Sequence, residues 1–311
     1  MPAEVYGARY KFLPKPQLLT FEEIARLTKL FVDLGVTKVR LTGGEPLIRN
    51  NLEELVSLLS SIPGIQDLTL TTNGYLLAGK AQALKDAGLN RITVSLDSLD
   101  DEVFKKMNGR RFGPQKVLEG IAKSATVGLT PIKINSVVQK GVNDHTIVDL
   151  AKYFRGTGHI VRFIEFMDVG TKNGWELSQV VTSREVIEMI DNEFPLEPVE
   201  ANYRGEVASR YSYVDGQGEI GVISSVSEPF CGNCTRARLS TDGKLVTCLF
   251  ASGGTDMKTA MRSGADDVTL AGIIAKIWGG RTDRYSELRS EDTQVKVGVD
   301  GDKVEMYYIG G

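Results

Sequence analysis

Histidine is nearly absent from this chain, at two in 311 residues, tryptophan is equally scarce, and cysteine occurs only three times. The two histidines, His145 and His159, stand far in sequence from every cysteine, so a mixed thiolate–imidazole metal site has little to draw on. An odd cysteine count leaves one thiol over from any disulfide, and a disulfide suits a cytosolic chain poorly. Positive charge is not in excess either: 37 Lys and Arg face 40 Asp and Glu, which argues against nucleic acid as the main partner. The apolar runs fall far short of the ~20 residues that span a bilayer. The opening Met1-Pro-Ala-Glu-Val-Tyr-Gly lacks the basic and apolar regions of a secretory signal. The expectation is a cytoplasmic protein with neither a membrane nor a nucleic-acid partner.

What is present is a chain too long for one small core, 41% hydrophobic and 25% charged. Helix and strand patterns alternate up to about residue 170, the mark of repeated βα units. Thr20-Phe-Glu-Glu23 reads as a capping box opening a helix that stops at Gly35. Further helices are expected near 51–61, 76–87, 99–107, 115–127 and 144–155, and strands at 38–42, 67–72, 91–97, 132–138 and 160–166. The first four strands alternate apolar and polar residues, whereas parallel strands covered on both faces read as continuous apolar runs. If the apolar sides meet the helices, the polar sides line a lumen carrying Lys38, Arg40, Thr71, Ser95, Lys133 and Asn135. An internal ion network with Glu45, Asp97 or Glu165 is the competing reading. Arg162 and Glu165 have opposite parity, which a bulge would reconcile.

After residue 180 come one helix over 183–193, a loop with Pro195 and Pro198, strands near 207–224, a cysteine hairpin, helices near 255–263 and 266–278, and a terminal strand. The fold class expected is α/β: a partial TIM-like βα barrel over 1–175, with a smaller α+β C-terminal domain over 176–311.

The cysteines cluster as Cys231-Gly-Asn-Cys234 and Cys248, with Arg236 and Arg238 directly behind the second. Asp242-Gly243 is a two-residue hairpin signal, and pairing around it would set Cys248 level with Ala237. Three thiolates suit a four-iron four-sulfur cluster with one open iron, or a zinc site completed by a fourth ligand; spacing leaves the two about level. At the strand ends stand Thr42-Gly-Gly-Glu-Pro46, Thr71-Thr-Asn-Gly74 and Ser95-Leu-Asp97. The C-terminal rim of a βα barrel is where ligands bind. Singly, each motif reads equally well as a turn or a helix cap.

Gly-Gly-Glu-Pro after a barrel strand resembles the motif with which radical S-adenosylmethionine enzymes hold the methionine amino group. With Thr-Thr-Asn-Gly, Ser-Leu-Asp, Arg162-Phe-Ile-Glu-Phe-Met167, Cys-x-x-Cys-Thr-Arg-Ala-Arg and the Gly310-Gly311 tail, the chain resembles the MoaA family of molybdenum cofactor biosynthesis over its whole length. The resemblance implies a lyase, a GTP 3′,8-cyclase, in which a 5′-deoxyadenosyl radical takes the 3′ hydrogen of GTP and the ribose closes onto C8 of guanine. It implies that Cys231, Cys234 and Cys248 ligate a 4Fe-4S cluster facing guanine. Arg40, Thr71, Lys133, Arg162, Arg236 and Arg238 would hold GTP, and Gly44, Glu45, Ser95 and Met167 would contact S-adenosylmethionine. Further expectations are a tail that reaches the active site, a flavodoxin-like electron donor, cyclic pyranopterin monophosphate synthase as the downstream enzyme, and a homodimer.

The family also carries a CxxxCxxC segment for a second, reducing 4Fe-4S cluster, and this sequence contains none. Its opening resembles the residues that follow the family's third N-terminal cysteine. The expectation is therefore that Met1 is an internal methionine of a longer reading frame, that the first barrel strand is missing with the cysteines, and that the chain as given does not cleave S-adenosylmethionine. Two other readings are a non-catalytic GTP-binding protein that keeps the C-terminal metal site, and a different radical enzyme with an auxiliary cluster.

Overall fold

A computed structural model describes residues 13–109, 112–170, 174–291, 304 and 308. Its strands are β1 (Lys38–Leu41), β2 (Asp67–Thr72), β3 (Arg91–Ser95), β4 (Lys133–Val138), β5 (Ile160–Glu165), β6 (Leu196–Val199), β7 (Ser209–Tyr213), β8 (Glu219–Ile223), β9 (Arg238–Leu239), β10 (Lys244–Val246) and β11 (Thr255–Asp256). Helices α1 (Phe21–Asp33), α2 (Leu52–Ser60), α3 (Leu77–Asp86), α4 (Asp101–Asn108), α5 (Gln115–Thr126), α6 (Ile147–Phe154) and α7 (Ser183–Asp191) accompany the first eight strands. Three more, α8 (Met257–Arg262), α9 (Asp267–Gly279) and α10 (Tyr285–Glu291), follow the last.

One eight-stranded sheet runs in the order β1-β2-β3-β4-β5-β8-β7-β6. Neighbours from β1 to β5 are parallel, β8 joins β5 in parallel, and β7 and β6 add on antiparallel. Among the described residues β1 and β6 are edges, so the barrel is partial, as expected. The α1 capping box forms as read: Thr20 Oγ1 accepts from Glu23 N, and Glu23 accepts from Thr20 N at 2.8 Å.

The expected alternation also holds. Leu68, Leu70, Ile92, Val94, Ile134, Val161 and Phe163 turn to one side and are buried in a single core with Leu55, Val56, Leu84, Val117, Ile121 and Leu150 from the helices. Each such side chain contributes ~1.5–3 kcal/mol on burial, which fixes the strand faces and so fixes which residues point the other way. A smaller core joins Leu27 and Leu30 of α1 to Leu245, Met257, Met261, Leu270 and Ile274, and it seats the C-terminal three-stranded sheet β11-β10-β9.

Three expectations change. Residues 196–199 form a strand rather than a loop; β6 pairs only with β7, and Pro198, which has no N–H to give, is tolerated on such an edge. The cysteine hairpin turns through three residues, since Ser240 N donates to Lys244 O and the ladder pairs Leu239 with Leu245. The register therefore moves by one from that expected, and the ladder ends at Val246, before Cys248. No bulge interrupts β5: its register with β4 is continuous from Ile160 to Glu165, so Arg162 and Glu165 lie on opposite faces. Strands β6, β7 and β8, within residues 196–223, continue the barrel's own sheet. The terminal strand and Gly310-Gly311 lie outside the described residues.

Candidate active site

The polar face of the sheet gathers its side chains by register. Parallel pairing sets Arg40 level with Thr69, Thr71 with Thr93, Thr93 with Lys133, Ser95 with Asn135, and Asn135 with Arg162. The contacts agree. Arg40 Nη1 donates to Thr71 Oγ1 at 2.8 Å and Thr93 Oγ1 at 3.0 Å, and Arg162 Nε donates to Asn135 Oδ1 at 2.9 Å. Opposite Arg162, β8 supplies Gly221, where a Cβ would come within 3.3 Å of the Arg162 stem.

This lumen is rich in half-buried cations and poor in anions. Burial, then the charge of Arg162 and of Arg91, lowers Lys133 from 10.5 to about 8. Burial, then Arg40, lowers Arg162 to about 10. Arg40 is lowered in the same way, by burial and then by Arg91. Asp67 offsets part of this charge, bonding Arg91 and lying 3.2 Å from Lys38. The carboxylates suspected of forming an internal ion network do not reach the cations. Glu45 accepts from Leu47 N, Thr72 Oγ1 and Asn73 N. Glu165 accepts from Ser183 N, at the first turn of α7, and from Val226 N and Ser227 N. Asp97 accepts from Val137 N, and burial raises it from 3.8 to about 6. Such a set of only partly neutralised cations suits a polyanion.

At the C-terminal ends of β1, β3 and β5 stand Gly44 and Glu45, Ser95, and Met167, all on one rim. Gly43 holds φ at +141°, a region side chains disfavour, so the turn that presents Glu45 requires glycine there. Glu45 ties this turn to the end of β2, and Asn73 in turn accepts from Tyr75 N at 3.0 Å. Asp97 is not a helix cap; Asp100 caps α4.

The cysteines form a second group. Cys231, Cys234 and Cys248 are free and half-buried, and Arg238 lies among the charges of Cys234, Cys248, Arg236 and Arg281. Burial raises Cys248, whereas Arg281 and Arg236 bring Cys234 below the ordinary thiol value against its own burial. Arg281 Nη1 also donates to Cys234 O at 2.7 Å. Among the described residues no three Cys, His, Asp or Glu side chains are drawn to metal-binding distance. The donor set nonetheless fits a cluster: three thiols in one half-buried, arginine-lined corner.

The barrel cations and the thiols meet through residues 200–206. Lys38 Nζ lies 4.9 Å from the Tyr203 ring centroid and donates to its hydroxyl at 3.3 Å, while a Cβ on Gly205 would come within 2.9 Å of Asn233 O. The sequence reading passed over Arg91, Thr93, Tyr203 and Arg281. Strand parity could have found Arg91 and Thr93; the others lie in loops or at a helix end, where no periodicity speaks.

Comparison with known proteins bears on the whole chain. Residues 5–154 match the Radical SAM superfamily and residues 159–287 match Molybdenum Cofactor Synthesis C. A protein of Xanthomonas axonopodis named GTP 3′,8-cyclase is 51% identical over all of this chain and 91% of its own length. Proteins of the same name from Acidothermus cellulolyticus and Staphylococcus haemolyticus are 46% and 48% identical, at the same coverages. The solved structure of native anSMEcpe with bound AdoMet and a Cp18Cys peptide aligns with 83% of this chain and 74% of its own, at 14% identity and a TM-score of 0.51, a likeness of fold alone.

Proposed function

The chain belongs to the GTP 3′,8-cyclase family of molybdenum cofactor biosynthesis, within the radical S-adenosylmethionine enzymes, and from that membership we propose how its own residues serve the reaction. The observation that carries the reading is the row of half-buried cations, Arg40, Lys133 and Arg162, in which Arg40 rests on hydroxyls and Arg162 on an amide rather than on carboxylates. A nucleoside triphosphate supplies the missing negative charge, and guanidinium forks bind it bidentately. In this reading Arg40, Thr71, Lys133 and Arg162 hold the triphosphate and ribose, while Arg236 and Arg238 fix the nucleotide at the thiol end.

S-adenosylmethionine belongs at the other rim. An ionised carboxylate offers about four lone-pair positions, and Glu45 already uses three on Leu47, Thr72 and Asn73. One remains for the methionine ammonium beside the Gly44 backbone, with Ser95 and Met167 flanking it. When bound and reduced, S-adenosylmethionine supplies the carbon radical that abstracts a substrate hydrogen; the lumen's task is to hold the ribose facing that rim and to keep water out. The enzyme class is lyase.

Cys231, Cys234 and Cys248 would ligate one 4Fe-4S cluster whose open iron meets the base. A second cluster has no ligands among the chain's three cysteines, so electron delivery from a flavodoxin-like donor requires residues that this sequence does not contain. Cyclic pyranopterin monophosphate synthase would take the product, and the assembly would be a cytoplasmic homodimer.

GTP titration of the wild type, Lys133→Ala and Arg236→Ala tests the assignment. Weakened binding in both variants is expected; unchanged affinity overturns the phosphate role. Anaerobic reconstitution with an iron and zinc count separates a four-iron site from zinc.

A further inference from the structure

The end of β5 and the segment from Arg281 to Glu287 hold the thiol corner from two sides. Tyr285 Oη donates to Asp168 Oδ2 at 2.6 Å, a short bond between residues 117 apart in sequence. Asp168 directly follows Met167, on the rim proposed for S-adenosylmethionine. The ring of Tyr285 lies on that of buried Phe250, with centroids 4.6 Å apart and planes 18° from parallel. Phe250 N in turn donates to Cys248 Sγ at 3.4 Å. A rim carboxylate, a phenol, a second ring and a cysteine sulfur thus form one continuous chain of contacts.

The same segment reaches the other two cysteines. Arg281 Nη1 donates to Cys234 O at 2.7 Å, and Glu287 Oε1 accepts from Gly232 N at 2.8 Å, inside the turn that separates Cys231 from Cys234. On the barrel side, Glu165 accepts from Val226 N and Ser227 N at 2.8 Å each, just before Cys231. The thiol corner is therefore tied to the C-terminal end of β5 twice: at its entry through Glu165, and at its exit through Tyr285 and Asp168. The entry bonds come largely from backbone N–H groups, whereas the exit bond depends on one hydroxyl.

We propose that Tyr285 is a positioning residue: its bond to Asp168 fixes the spacing between the thiol corner and β5, so that a nucleotide held by its phosphates in the lumen meets the thiols with its base. This rests on the assignment of GTP to those two ends. A ligand anchored at both ends gains fully from the second anchor when the separation is already set; otherwise ordering the second anchor takes back part of the gain. β5 carries Arg162 of the phosphate end, so the bond to Asp168 refers the thiols to the strand that presents the phosphate site. Without the hydroxyl, the ring stack keeps Phe250 and Cys248 together, but the corner they belong to can shift against β5. The phosphates, held by Arg40, Lys133 and Arg162, do not register that shift. The base does.

The test is calorimetric titration of GTP and of inorganic tripolyphosphate into the anaerobically reconstituted wild type, Tyr285→Phe, Asp168→Asn and the double variant, with iron counted in each. Tyr285→Phe is expected to hold as much iron as the wild type and to bind tripolyphosphate equally well, but to bind GTP about tenfold more weakly. The change that GTP induces in the electron paramagnetic resonance spectrum of the reduced cluster should shrink with it. The double variant should bind GTP no more weakly than Tyr285→Phe, since both substitutions break one bond. Unchanged GTP affinity in Tyr285→Phe, an equal loss for GTP and tripolyphosphate, lost iron, or additive losses in the double variant overturns the role of Tyr285. A wild type that binds GTP no more tightly than tripolyphosphate overturns instead the assignment of the base to the thiol end.

Discussion

Arg162 on β5 donates its Nε to Asn135 on β4 at 2.9 Å, and the two stand in register on the lumen face. Nε is the one guanidinium nitrogen that a terminal fork does not need. The amide therefore orients Arg162 and leaves both of its NH₂ groups for a ligand, which a carboxylate partner would not do.

Asn135→Ala is accordingly expected to weaken GTP binding by about tenfold, the value of one hydrogen bond that orients a charged group. Equilibrium titration checks it. Global stability should fall little, since the alanine leaves the strand's apolar face untouched.

Lys133 makes GTP binding depend on pH. Its ordinary value of 10.5 is lowered to about 8 in the folded chain, and a bound polyanion must raise it again. Binding then takes up a proton, so affinity is constant below pH 8 and falls as pH rises above it. Without ligand the sign is the reverse: the charged lysine is disfavoured in the fold, so stability increases as pH rises from about 8 towards 10.5. Titrations across pH 7–9.5, with a denaturation series alongside, read both slopes; Lys133→Met should flatten both.

Asp97 carries the opposite linkage. Burial raises it from 3.8 to about 6, so the folded state favours its neutral form. The stability associated with the neutral group is fully present below 3.8 and is lost as pH rises through 6. Asp97→Asn keeps an acceptor for Val137 N–H and removes the charge. Above pH 6 it should stabilise the unliganded chain by on the order of 1–3 kcal/mol, and near pH 4 by almost nothing, as urea unfolding would show.

Much of this site was legible in the strands. A period of two, read against the demand for helix-covered apolar faces, placed Arg40, Thr71, Lys133 and Asn135 in one lumen, because a buried face leaves the register no freedom. The capping box at Thr20 was equally local and equally clear. What escaped was non-local. Glu165 looked out of place on β5 because its partners, Ser183, Val226 and Ser227, come from distant segments. β6 was hidden by Pro198, which tells only that the strand is an edge. The hairpin at Asp242-Gly243 gained one loop residue because Ser240 bonds both Lys244 and Asp242, a side-chain choice that the turn dipeptide does not reveal.

The central claim is that the cations on the polar face of the sheet bind the triphosphate of GTP. Its most direct test is the GTP affinity of the wild type beside Arg162→Ala at low and high salt. The account predicts saturable binding that weakens with salt and falls by about ten- to a hundredfold in the variant, the value of a charge-assisted, bidentate contact. GTP affinity that is indifferent both to salt and to Arg162 would contradict it.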